Sequence, residues 1–302
     1  MGIFNKLKNF IKSKFFILKN KNLKKQTKIY NKKYSSYSEN LVYVSEIENF
    51  LEKPKMFYNF KRNSFYRDVV ETVKQKEGYE YLKILESRND GFLKEGLETV
   101  LISDIIGNPL KYFYKGYANP LSPTTLRYLK VASDLNILFG NKFHNVAEIG
   151  AGYGGQTLIN DQILEIYCSK LFDLPNVNQL IEKYLNYFLL KGSYKTTTLN
   201  NEPPSNYDLV ISNYAFSELP KDLQIVYVDK VLKKSKRGYL TMNSGMGGLF
   251  SDGKLSAIEL KSQIPKIKFL EEYPLTYKYN YVAVWGFEDN NIIEKNFKEK
   301  IL

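Results

Sequence analysis

The sequence predicts an α/β fold built on a doubly wound, mostly parallel sheet, with a helical region before it and an antiparallel hairpin near its end. Three observations predict this. An apolar lead-in, Val146-Ala147-Glu148-Ile149, runs into Gly150-Ala151-Gly152-Tyr153-Gly154-Gly155, the pattern of a strand that turns tightly and opens a helix. Residues 141–289 alternate short apolar runs with longer segments of helical spacing, as βα units require. Two late apolar runs, near Ile267 to Glu272 and Tyr281 to Phe287, are joined by a short connection and read as an antiparallel closing pair.

Taken in order, residues 1–40 form a separate unit. They hold eleven lysines and one acid, Glu39. Phe4, Leu7, Ile11, Phe15 and Leu18 fall at helical spacing, with most lysines off that stripe. Such a pattern suits peripheral contact with an anionic membrane surface, and equally a solvated lysine-rich tail. Residues 41–140 read as a helical cap region. Phe65, Val69, Val70 and Val73 share a helical face, and Gly78 interrupts its continuation through Tyr81, Leu82 and Leu85. A further helix starts at Ser122-Pro123, a cap followed by proline, and stops at Gly140. Between them, Asp104 and Asn108 beside Tyr112, Phe113 and Tyr114 either line a pocket or, the favoured reading, cap a helix and fill a core. The sheet then takes its first strand near 145–150, its second from Ile166 to Phe172, its third from Tyr194 to Leu199, its fourth from Asp208 to Ser212 and its fifth from Gly238 to Met242. Residues 290–302 read as a C-terminal tail.

Composition excludes several classes. With 302 residues, 43% of them hydrophobic, the chain can bury a large core. A single cysteine, Cys168, excludes an internal disulfide framework and a cysteine zinc cluster, and fits a cytoplasmic setting. No apolar run reaches the ~20 residues of a membrane span. The net charge of +12 is concentrated in residues 1–40 and is carried mostly by lysine, with arginine only at 62, 67, 88, 127 and 237. That distribution argues against a nucleic-acid partner, for which arginine clusters on one face are the usual footprint.

The glycine run can be read two ways. Gly150, Gly152 and Gly155 fit the dinucleotide fingerprint G-x-G-x-x-G, which keeps a nicotinamide-dependent oxidoreductase as an alternative. Glu148, Gly150, Gly152 and Gly154 fit acidic-x-G-x-G-x-G. The carboxylate favours the second, because it suits a cofactor carrying an ammonium and a sulfonium and would repel pyrophosphate. Asp173, at the end of the second strand, is placed to accept hydrogen bonds from ribose hydroxyls; it also suits the N-terminus of the helix that follows. Asn200, after the third strand, is a candidate partner of an adenine edge or an ordinary turn residue. Ser212, Asn213 and Tyr214 end the fourth strand, where ligands sit in open α/β sheets. Tyr214 reads equally as a ring beside a sulfonium and as a core tyrosine.

These segments together, Glu148 to Gly155, Phe172-Asp173-Leu174-Pro175, Ser212 to Glu218 and Tyr239 to Asn243, resemble the sugar O-methyltransferases of bacterial surface-polysaccharide clusters, within the Rossmann-like class I S-adenosyl-L-methionine (SAM) methyltransferases. The likeness covers about residues 100–287. It implies SAM as cofactor and methyl transfer to a hydroxyl of a sugar or glycan precursor. A sugar hydroxyl needs a base. Many O-methyltransferases place a histidine after the fourth strand; this chain has Phe216-Ser217-Glu218-Leu219 there, so Glu218 is the candidate catalytic base, though it also suits a helix cap or an ion pair. His144 precedes the first strand and reads as structural. No metal-ligand spacing is recognisable. A non-catalytic subunit of the same fold is a further alternative.

Overall fold

A computed structural model describes residues 41–88, 91–201, 205–243 and 253–300. The basic segment 1–40, and with it the membrane reading, lies outside the described residues.

Helices α1 (Leu41–Glu52), α2 (Pro54–Phe57), α3 (Ser64–Val69), α4 (Gln75–Arg88), α5 (Phe92–Ser103) and α6 (Pro123–Phe139) form the expected N-terminal region. In α6 the leucine-rich face of Leu126, Leu129, Ala132, Leu135 and Leu138 is buried, but so are Arg127, Lys130, Ser133 and Asp134 on other faces. A helix enclosed all round must satisfy its polar groups internally. Asp134 does so by accepting from Arg88 Nη2 at 2.5 Å, Lys130 Nζ at 2.6 Å and Tyr239 Oη at 2.5 Å. Ser122 precedes α6 as expected, yet its hydroxyl makes no capping bond and is buried without a partner; Pro123, with its preset φ, starts the helix.

The stripe from Phe65 to Val73 is not one helix. α3 stops at Val69 and the chain runs irregularly to Lys74. The break falls before Gly78, which sits inside α4. There a Cβ would lie 2.1 Å from the Tyr114 hydroxyl, so the glycine admits a ring and does not end a helix.

The sheet comprises β1 (Lys142–Ile149), β2 (Glu165–Phe172), β3 (Ser193–Thr197), β4 (Tyr207–Asn213), β5 (Ser235–Met242), β6 (Lys268–Glu271) and β7 (Tyr281–Trp285). Its order is β3-β2-β1-β4-β5-β7-β6, with β1 to β5 parallel and β7 antiparallel to both neighbours. This is the mostly parallel sheet with a late antiparallel pair that the sequence predicts. Helices α7 (Gly155–Ile163) and α8 (Pro175–Leu185) cover one face; α10 (Lys221–Lys230) and α11 (Ala257–Gln263) cover the other, and the short α9 (Ala215–Glu218) follows β4. At the antiparallel edge Gly238 lies opposite Trp285, and a Cβ there would meet the indole at 2.1 Å. The segment expected as a C-terminal tail carries helix α12 (Asn290–Asn296), which buries Ile293, and Lys300 N bonds Phe269 O at 2.8 Å.

Strand order reverses between β1 and β4, which run outward from the centre in opposite topological directions. A crevice opens at the carboxyl ends of strands at such a point.

Candidate active site

A cavity of about 560 Å³ occupies that crevice. Its floor comes from the ends of β1, β2, β4 and β5. Its other walls come from α1, the segment 68–74, α4, α6 and the connection 272–280 between β6 and β7.

The glycine loop forms part of the floor. Gly150 has φ +70°, and a Cβ on it would lie 2.0 Å from that of Ala215, so this turn excludes any other residue. Gly150 and Gly152 border the cavity. Gly154, expected with them, does not. It begins α7 with φ +86° and packs under Ile181 and Leu185 of α8, where a Cβ would meet both at 3.2 Å. A glycine suits this position for its left-handed backbone and for the close approach of Ile181 and Leu185.

Glu148, one residue before the end of β1, lines the cavity with 4% exposure. It accepts a hydrogen bond from Thr157 Oγ1 at 2.5 Å. Burial pushes its carboxyl up to about 7, the nearby Asp173 charge adds to this, and the Thr157 bond opposes it. Asp173 follows β2. One carboxylate oxygen accepts from Gly152 N at 2.9 Å and the other from Leu174 N at 2.7 Å, so the loop and the acid hold each other in place. Burial raises its carboxyl to about 6 against those two bonds.

At the end of β4 the expected trio separates. Ser212 is fully buried; its hydroxyl donates to Ile149 O at 2.9 Å and accepts from Phe216 N at 3.0 Å, tying β4 to β1 and the start of α9. It is outside the cavity lining. Asn213 and Tyr214 reach the cavity. Asn213 Nδ2 donates to Gln156 Oε1 at 3.0 Å, while its Oδ1 is buried without a partner. Tyr214 adopts φ +68°, which a bulky residue rarely does. It is held there by its N–H on Thr241 O at 2.8 Å and by its hydroxyl, which donates to Glu272. Glu272 in turn accepts from Thr276 N at 2.8 Å. Burial and the Glu272 charge push the Tyr214 phenol well above its ordinary range, so it stays protonated.

Glu218, at the end of α9, also lines the cavity. It accepts from Asn243 Nδ2 at 3.0 Å, and burial raises its carboxyl. Asn200 is an exposed turn residue after β3 and is not among the residues that line this cavity. His144 stacks on Tyr167 at 4.7 Å, near the opposite end of β1. Asp104 is likewise structural, buried with Thr125 Oγ1 at 2.8 Å and Lys61 Nζ at 3.7 Å.

The cap-side wall was not foreseen. Tyr43, Val70, Arg127, Tyr128 and Asn280 meet there from four distant segments. The one available signal was Arg127, an arginine in a helix of a chain that otherwise favours lysine.

No protein-family model matches the sequence, and no curated protein matches it. Several solved structures are similar in shape. The N-methyltransferase NodS from Bradyrhizobium japonicum WM9 shares 12% identity over 54% of this chain and 95% of its own, with a TM-score of 0.41. The N-terminal domain of EvdMO1, crystallised with SAH and D-fucose, shares 13% over 59% and 90%, with a TM-score of 0.41. TehB from Haemophilus influenzae shares 14% over 53% and 62%, with a TM-score of 0.40. Likenesses this distant do not bear on the chemistry.

Proposed function

We propose that the protein is a SAM-dependent methyltransferase acting on a hydroxyl of a sugar or glycan precursor. The observation that carries the cofactor assignment is the convergence of Glu148, Gly150, Gly152 and Asp173 on one cavity at the strand ends. The residues fit the group. Two bare backbone positions border the cavity, and Asp173 is fixed by backbone bonds with acceptor capacity left for hydroxyls. Glu148 offers a carboxylate to an ammonium. When bound, SAM supplies an electrophilic methyl on a sulfonium.

The protein's part is orientation and proton removal. Tyr214, fixed by Glu272, presents a rigid ring beside the ends of β4 and β5. Glu218 accepts the acceptor hydroxyl's proton at a carboxylate oxygen while Asn243 holds that side chain in place. The raised carboxyl suits a base, since a more basic carboxylate removes a proton more readily. The sugar acceptor rests on the resemblance of the four sequence segments. Peripheral membrane contact through residues 1–40 belongs to the same reading; among the described residues no helix is long and apolar enough to cross a membrane.

Calorimetric titration with SAM, S-adenosylhomocysteine (SAH) and NAD tests the cofactor. Binding of the first two without NAD is expected. Binding of NAD alone would move the chain to the oxidoreductases.

A further inference from the structure

Arg127 lies on the cap-side wall of the cavity, and no carboxylate pairs with its charge among the described residues. The residue is only 7% exposed. Its guanidinium sits 5.4 Å from the Tyr128 ring centre and 5.3 Å from that of Tyr214, and its Nε has no hydrogen-bond partner. No carboxylate oxygen comes within 4.0 Å of it among the described residues. Arg88, the other arginine packed against α6, closes on Asp134 at 2.5 Å. A buried cation is costly unless it is paired, and two ring faces compensate only in part.

The neighbours of Arg127 say which part of the cavity it serves. Tyr214 connects it to the 272–280 connection: the phenol bonds Glu272 and lies 3.4 Å from Thr276 Oγ1. Asn280 Nδ2 donates to the same hydroxyl at 2.9 Å, and Asn280 Oδ1 is buried with no partner, on a residue 2% exposed that also lines the cavity. One wall therefore holds a guanidinium that hydrogen-bonds the Tyr128 side chain but pairs with no carboxylate among the described residues, and an unsatisfied amide oxygen, linked through Tyr214 and Thr276. This wall is distinct from the Glu148 and Asp173 floor assigned to the cofactor.

We infer that the acceptor is acidic: Arg127 takes an anionic group, a carboxylate or a phosphate, on the sugar that is methylated, and Asn280 takes a neighbouring hydroxyl. The inference rests on the methyltransferase reading. It narrows the acceptor to uronates and phosphorylated sugars, and it assigns specificity to a helix outside the sheet. Guanidinium is suited to both anions because its fork matches their paired oxygens.

The test uses the full chain saturated with SAH. D-glucuronate, D-glucose 1-phosphate and D-glucose are titrated into the wild type, Arg127→Gln and Arg127→Lys. At least one anionic sugar should bind about tenfold or more tightly than glucose. Arg127→Gln should abolish that preference, and Arg127→Lys should keep part of it. SAH affinity should change less than about twofold in both variants. Equal binding of charged and neutral sugars overturns the inference. So does a preference that survives in Arg127→Gln. A third overturning result is that Arg127→Gln weakens SAH but not 5′-methylthioadenosine, which lacks the amino-acid end; the anion would then be the cofactor's carboxylate. Failure of the wild type to bind SAH would instead overturn the methyltransferase reading itself.

Discussion

Two groups of buried charge among the described residues are built differently. Around Asp134, every charge has a partner: Arg88 and Lys130 flank the carboxylate and Tyr239 donates to it. Burial alone would raise the Asp134 carboxyl, and the two cations overcome this and hold it below its ordinary value. Around the cavity, Glu148, Asp173 and Glu218 have hydrogen-bond donors but no cation in contact among the described residues, and all three carboxyls are raised by burial. Arg127 is the reverse case, a cation with no carboxylate in contact. Paired charge locks α4, α6 and β5 together. Unpaired charge marks surface that awaits a ligand.

The contrast can be broken by substitution, and the largest effect should be catalytic. Glu218→Gln should slow methyl transfer about 10²-fold or more while SAH binding holds. It should also remove the rise in rate with pH that ionisation of this carboxyl produces. A variant with wild-type turnover would leave Glu218 as a helix-end residue bonded to Asn243. Next comes the paired cluster. Asp134→Ala should cost about 3–5 kcal/mol of stability, since it strands two buried cations; a thermal melt within a degree or two of wild type would erase the distinction between the two groups. Asp173→Ala should weaken SAH about 10- to 100-fold with the fold retained and the melting temperature lowered, since Gly152 N and Leu174 N lose their acceptor. Equal SAH affinity would take Asp173 out of the cofactor site.

The smallest effect is a sign in the pH dependence. A carboxyl whose folded pKa lies above its unfolded value binds more protons when folded, so its contribution to stability falls as pH rises. For Glu148 that window runs from 4.5 to about 7. The ligand-free protein should therefore lose stability across it, and Glu148→Gln should flatten the trend. SAH affinity should move the other way, strengthening as Glu148 ionises to meet an ammonium. Asp134 has the opposite sign: its stabilisation is present above the ordinary aspartate range and is lost on acidification below it.

The floor of the cavity was legible in the sequence and the cap-side wall was not. Glu148, Gly150 and Gly152 lie on one turn, where local backbone geometry dictates residue type, and Asp173 ends the adjacent strand. Such constraints leave a spacing that can be read. Gly154 belongs to the same motif, but whether a glycine faces a ligand or a helix depends on α8, which the motif does not contain. Asn200 lies outside the lining for a related reason: an amide after a strand suits a turn as well as a ligand, and spacing does not distinguish them. Tyr43, Arg127 and Asn280 come together only when three separate segments pack, and no periodicity records that. The strands themselves were read nearly in full, because alternating apolar runs between helices state the sheet directly. Their amino ends were read short where exposed residues such as Lys142 and Lys236 begin a strand.

Trp285 stands alone in its residue class, and it lies against Gly238 at the antiparallel edge with 4% exposure. Its fluorescence therefore reports one place in the molecule. Emission should be blue-shifted in the native state and should redden only when β5 and β7 part. Circular dichroism follows the helical cap and the sheet together. Recording both during denaturation gives two clocks on one chain: coincident curves mean that cap and sheet edge unfold as one cooperative unit, and an early helical loss under constant emission means that the cap opens first.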